Sequence, residues 1–253
     1  MFPGAIAADA PNRPAVIMAS TGQVITFKEL DEAANRLSQV LRTAGLNPGD
    51  HVAFCIENHP RYFEILWGCH YAGLIYTACS SRLTTDELNY IINDCGAKAF
   101  ITSKHKADQA AEVASTTPNV SLRLMLDGKI DGYDSYEDTV SKASATELAN
   151  RVDGVDMLYS SGTTGRPKGI KLGLAMTPLG TPTSLSGLCS MLFAIDKDAI
   201  YLSPAPLYHA APLRFTMTTH RLGGTAIIME HFDAEEYLKL IAKHKVTHSQ
   251  LVP

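Results

Sequence analysis

Between residues 27 and 126 the chain alternates helix-spaced and strand-like runs, a rhythm that few folds accommodate. Apolar residues at Phe27, Leu30, Ala33, Ala34, Leu37, Val40 and Leu41 recur at the three-and-four spacing of a helix over 27–43. Thr26, with Glu29 three residues on, spells a capping box at its start, and Gly45 supplies a stop. Residues 51–56 read as a strand, 60–71 as a helix and 74–78 as a strand. A second capping box, Thr84 to Glu87, opens a helix that ends at Cys95 and Gly96. Residues 98–102 are strand-like, 106–114 helical and 122–126 strand-like. Such alternation predicts an α/β fold with a parallel sheet covered by helices.

Residues 127–153 break the rhythm. They are polar and rich in Ser, Asp and Lys, with a short helix expected over 136–143. This stretch is read as a connection between two sublobes, 1–153 and 154–253, each of mixed or parallel β-sheet flanked by helices. In the second sublobe 155–159, 200–203, 225–229 and 246–250 read as strands. Residues 234–243 read as a helix capped by Asp233. No internal repeat or low-complexity tract interrupts the pattern.

Chemistry concentrates in the run Tyr159-Ser160-Ser161-Gly162-Thr163-Thr164-Gly165-Arg166-Pro167-Lys168-Gly169-Ile170. Its glycines free the backbone for positive φ and let a ligand approach the N–H groups. Consecutive N–H groups form a concavity that favours anions, and the hydroxyls of Ser160, Ser161, Thr163 and Thr164 add donors. Lys168 adds a mobile point charge suited to phosphate. The apolar run before it suggests a loop hanging from a strand. Ser/Gly/Thr-rich stretches are ordinarily solvated loops, but the order of residues here is too particular for that, and the run reads as a polyphosphate cradle. It is not a Walker A loop, because Lys168 lies between Pro167 and Gly169 and no Ser or Thr follows it.

This run resembles the phosphate-binding signature of the adenylate-forming enzymes, the superfamily of acyl-CoA synthetases, peptide-synthetase adenylation domains and luciferases. Other segments are similar to family landmarks in the family's order: 11–16, 25–30, 34–37 and 45–53 near the start, then 204–212 and 246–253. The resemblance implies a chain in which a carboxylic acid attacks the α-phosphate of ATP, pyrophosphate leaves, and the acyl group passes to coenzyme A. It implies ATP, Mg²⁺ and coenzyme A as cofactors or co-substrates. It places Ser160, Ser161, Gly162, Thr163, Thr164, Gly165, Arg166, Lys168 and Gly169 around the phosphates, with Lys168 and His209 as the catalytic candidates. Arg166 is open to a second reading as a solvated surface charge, and His209 to one as a buried core histidine.

Family members are about twice as long as this chain, and the adenine, ribose and C-terminal lysine elements of the family have no counterpart before Pro253. The resemblance therefore implies an N-terminal AMP-binding domain without the C-terminal domain, inactive on its own. Two alternatives stay open: an adenylation domain that loads a carrier protein, and a non-catalytic nucleotide-binding module. After the signature, 171–178 departs from the family's usual Ser-His or Thr-His continuation and runs into a Gly/Pro/Ser/Thr-rich stretch. Gly180, Ser184, Ser186 and Gly187 there suggest room for a bulky fatty or steroid-side-chain acid.

Composition narrows the partners. A net charge of −4 gives no reason to expect nucleic acid or an anionic membrane. The five cysteines, Cys55, Cys69, Cys79, Cys95 and Cys189, lack CxxC spacing and are expected as buried, reduced thiols. His244 and His248 have helical spacing but a strand is expected to separate them, so no metal site is assigned. No signal peptide or membrane-length run is read, and a cytoplasmic location with possible homo-oligomerisation is expected.

Overall fold

The computed structural model describes residues 1–160 and 166–251. The first half of the chain runs α1 (Pro3–Asp9), β1 (Pro14–Met18), β2 (Val24–Thr26), α2 (Phe27–Thr43), β3 (His51–Cys55), α3 (Tyr62–Tyr71), β4 (Ile75–Ala78) and α4 (Thr85–Asp94). Next come β5 (Ala97–Ser103), α5 (Ala107–Thr116), β6 (Leu122–Leu126), β7 (Asp134–Ser135), α6 (Tyr136–Ser141), β8 (Val155–Ser160) and β9 (Lys168–Lys171). The remainder is α7 (Ser184–Phe193), β10 (Ile200–Ser203), α8 (Ala210–Leu222), β11 (Thr225–Ile228), α9 (Ala234–His244) and β12 (His248–Ser249).

Local signals fix the helix ends. At α2 the Thr26 N–H and hydroxyl both donate to Glu29 Oε2 at 2.8 Å, and the Glu29 N–H returns to Thr26 Oγ1 at 3.2 Å. At α4 Thr84 and Glu87 close the same reciprocal box. Asp233 caps α9 by accepting the Glu236 N–H at 2.8 Å. Lys245 follows in the left-handed region at φ 51°, so His244 ends a helix while His248 lies on β12.

Two sheets result. One orders β12-β10-β11-β1-β2, parallel except for the antiparallel β1/β2 pair. The other orders β7-β6-β5-β3-β4-β8-β9, parallel except for the antiparallel β8/β9 pair. Every residue of β3 and β4 is buried, as strands covered on both faces require. The expected α/β class with two helix-flanked sheets is what the chain adopts.

The chain forms two compact units that interleave along the sequence. The first comprises Met1–Glu32, Asn58–Phe63 and Gly180–Pro253; the second comprises Ala33–Glu57 and Glu64–Leu179. A single border at 153/154 is therefore corrected. Residues 127–153 are not a connection either, because they carry β7 and α6 and belong wholly to the second unit. In the first unit Leu202, Ile227, Met229 and Leu240 form a core with Tyr237, Ile241 and Val246 packed on it. In the second, Ala53, Cys55, Leu88, Ile91, Phe100, Val113 and Met125 belong to one buried cluster.

Candidate functional site

The described ends of the phosphate-signature run lie on a pair of antiparallel strands. Strand β8 enters the second sheet parallel to β4, and β9 returns antiparallel to β8 with Ser160 opposite Lys168 and Tyr159 opposite Gly169. Ser161, Gly162, Thr163, Thr164 and Gly165 lie outside the described residues. The two stems that hold them are described, and both are anchored.

At its base β8 is pinned by buried groups. His70 Nδ1 lies 2.7 Å from Asp153 Oδ1 and His70 Nε2 lies 3.1 Å from the Tyr76 hydroxyl. The Gly154 N–H donates to the His70 carbonyl at 3.2 Å. A Cβ on Gly154 would stand 2.6 Å from the Leu74 carbonyl oxygen, so only glycine fits that approach. Thr77 Oγ1 donates to the Met157 carbonyl at 2.9 Å, tying β4 to the middle of β8. Strand β8 is thus held in register as far as Met157, three residues before Ser160.

At the tip the side chains are accessible. Ser160, Arg166 and Lys168 are exposed. Arg166 is not simply solvated: its guanidinium carbon lies 5.2 Å from the centroid of the Tyr90 ring. The Tyr159 hydroxyl donates to Asp94 Oδ2 at 2.5 Å. Burial, then this bond to a carboxylate, pushes the Tyr159 hydroxyl's pKa up, so it stays a donor. Gly169 carries no positive φ, and its role differs from the one read in the sequence. A Cβ there would clash with Met157 Cε and stand 2.9 Å from Tyr159 Cζ, so the missing side chain makes room for the tyrosine ring across the strand pair.

His209 lies in the first unit. It is exposed, which sets aside its reading as a buried core histidine. It is the N-cap of α8, with no side-chain capping bond, and its carbonyl accepts the Leu213 N–H at 3.1 Å. Its ring stands 4.4 Å from that of Tyr208, tilted by 49°. The segment before it is held by Asn58, which the sequence reading passed over. Asn58 Nδ2 donates to the Ala205 carbonyl at 3.2 Å and the Met229 carbonyl at 2.8 Å, and Oδ1 accepts the Leu207 N–H at 2.9 Å. No periodicity or motif marks a lone Asn with three backbone partners, so the sequence carried no signal for it.

The small residues after the hairpin have local work. Gly180 turns at φ 82° with Phe2 against it. Ser184 starts α7, and Ser186 closes a capping box with Thr183. Gly187 faces open space. Local geometry thus accounts for Gly180 and Ser186 without an acyl chain beside them.

The described donors of the hairpin tip are an ammonium, a guanidinium and a hydroxyl, which suit anionic phosphate oxygens and not a bare divalent cation. Among the described residues Mg²⁺ therefore fits only as part of a magnesium–ATP substrate.

The profile of the AMP-binding enzyme family matches residues 5–253. Feruloyl-CoA synthase of Amycolatopsis sp is 34% identical over 231 residues, covering 89% of this chain and 43% of that protein. A long-chain-fatty-acid–CoA ligase of Mycobacterium tuberculosis is 28% identical over 247 residues, covering 96% of this chain and 47% of that protein. Among solved structures, ATP-bound MatB from Rhodopseudomonas palustris matches with a TM-score of 0.77 at 27% identity, over 96% of this chain and 48% of that one. The chain thus spans about half the length of the curated relatives it matches. With the two-sheet α/β fold and the hairpin-borne signature in place, the chain belongs to the AMP-binding enzyme family.

Proposed function

We propose that the hairpin grips the triphosphate of magnesium–ATP while a carboxylic acid is converted to an acyl-adenylate, the first half of acyl-CoA synthesis. A carboxylate oxygen attacks the α-phosphorus, the bond from that phosphorus to the bridging oxygen breaks, and pyrophosphate leaves with its electron pair. The thiol of coenzyme A then attacks the acyl carbon, its proton is lost, and AMP departs. Both reactants of the first step are anions, so developing charge has to be spread over fixed donors. Lys168 supplies the compensating charge, and Ser160 with the hydroxyls and N–H groups of 161–165 supplies hydrogen bonds to the departing phosphates. His209 is the proposed group on the acid's side, because it is exposed at the N-terminus of α8, an end that favours an anionic carboxylate.

One observation carries this reading: antiparallel pairing sets Ser160 directly opposite Lys168, so a hydroxyl and an ammonium flank the mouth of the signature loop. The ATP-bound relative and the two CoA-ligase relatives support it. Their named acids, feruloyl and long-chain fatty, favour an acid with a bulky apolar body, which we take as fatty or steroid-side-chain.

Titration of this chain with magnesium–ATP tests the reading. Lys168→Ala is expected to weaken binding by about tenfold, ~1.4 kcal/mol, with an unchanged melting temperature. Equal affinity in both proteins would overturn it. With magnesium–ATP present, long-chain and ring-bearing acids are expected to raise the melting temperature more than acetate does; the reverse order would overturn the substrate class.

A further inference from the structure

Helix α4 ends on an acid in the wrong place. Asp94 is its last residue, the last turn holds no basic side chain, and a carboxylate there faces the negative end of the helix dipole. Two tyrosines compensate. The Tyr159 hydroxyl donates to Oδ2 at 2.5 Å and the Tyr90 hydroxyl to Oδ1 at 3.4 Å. Tyr90 is one helical turn before Asp94, so the pair shares a face of α4. Its ring in turn receives the Arg166 guanidinium. Tyr159 belongs to the outgoing stem of the signature loop and Arg166 to the returning one. The two stems thus converge on two residues of one helix, Tyr90 and Asp94, and Gly169 leaves the space in which the Tyr159 ring turns toward that helix.

We propose that Asp94, Tyr90 and Tyr159 form a positioning latch that fixes both stems of the phosphate loop, with the Tyr90 ring as the resting place of Arg166. These are positioning residues, since none is argued to touch a phosphate. The proposal deepens the phosphate-binding reading and takes its purpose from it. When a triphosphate arrives, charge-assisted hydrogen bonds to its oxygens outweigh an exposed cation–ring contact, so Arg166 is released from Tyr90 toward the ligand. Stems held this way are already ordered when the ligand arrives, so binding costs less.

Limited trypsin digestion of the ligand-free chain tests it, read by mass spectrometry bond by bond. Arg166 precedes proline and resists trypsin, which leaves Lys168–Gly169 as the reporter of the returning stem. Asp94→Ala and Tyr159→Phe are each expected to speed that cut about threefold or more, with cutting after Lys239 on exposed α9 unchanged. Asp94→Asn, which keeps one acceptor oxygen, is expected to fall between. Tyr90→Phe is expected to loosen the stem less than Tyr90→Leu, because it keeps the ring under Arg166. The same Asp94→Ala and Tyr159→Phe proteins are expected to bind magnesium–ATP about threefold to tenfold more weakly at unchanged melting temperature. An unchanged cut at Lys168–Gly169, or equal acceleration at Lys239, would overturn the latch. The wild-type chain digested with and without magnesium–ATP separates the two ideas: no protection by the nucleotide counts against phosphate binding, while the ligand-free comparison of variants still decides the latch.

Discussion

His220 shows what burial does to a titratable side chain. It is fully buried in α8, its Nε2–H donates to the Ala15 carbonyl at 3.0 Å, and the rings of Phe63 and Phe27 meet it edge-on at 4.8 and 6.1 Å. Burial depresses its pKa to about 4, against an ordinary 6.5, with the backbone bond opposing weakly. The unfolded chain therefore takes up a proton at this position as the pH falls below 6.5, while the folded chain does not until about 4. Stability from this group is complete above 6.5 and drains away between 6.5 and 4, by about 3 kcal/mol in all and ~2 kcal/mol by pH 5. Denaturant midpoints taken from pH 7 to 4 are expected to show that slope, and His220→Phe is expected to flatten it. Residues of this kind were silent in the sequence. So was Gly169, whose membership of a signature hid a steric role toward Tyr159. Lys168 and Ser160 were singled out by a motif with fixed spacing, and strand pairing sets them opposite each other.

Elements announced by their ends were read well. Helix α2 occupies the expected 27–43, and α4 begins at the expected box, since reciprocal side-chain bonds at an N-terminus are written in four consecutive residues. Thr84→Ala removes both bonds of the Thr84 hydroxyl to Glu87 and is expected to cost about 1 kcal/mol, measurable as a lowered urea midpoint with unchanged slope. Helices α7 and α8 were not read. The first follows a Pro/Thr-rich approach that resembles a loop. The second buries Thr216, Met217, Thr218, Thr219, His220 and Arg221 in succession, so no polar face breaks the row into a period. Strand β9 also escaped notice, because Lys168, Ile170 and Lys171 are exposed and only pairing with β8 makes them a strand.

The division of the molecule was the hardest thing to read. A boundary search along a sequence expects contiguous pieces, whereas here residues 58–63 belong with 180–253. Thiol chemistry was easier, since apolar neighbours foretell burial. All five cysteines are free and buried, and burial pushes the thiols of Cys55 and Cys95 up to about 12 and 11 and raises those of Cys69 and Cys79 as well. At pH 8 the thiolate fraction of Cys55 and Cys95 is on the order of one in a thousand or less. Iodoacetamide is expected to leave these four untouched in the native protein and to label them at the rate of global unfolding; fast native labelling of any one would contradict the buried arrangement. The position of β9 has a last consequence, for the solution behaviour of the whole chain. It is the outermost strand of its sheet, and its two lysines are the charges that discourage a neighbouring molecule from docking there, on a strip that also bears the exposed Ile170. Neutralising Lys168 thus strips a gatekeeper from an open β-margin, and such a variant is expected to drift toward fibrillar stacking at concentrations the parent tolerates.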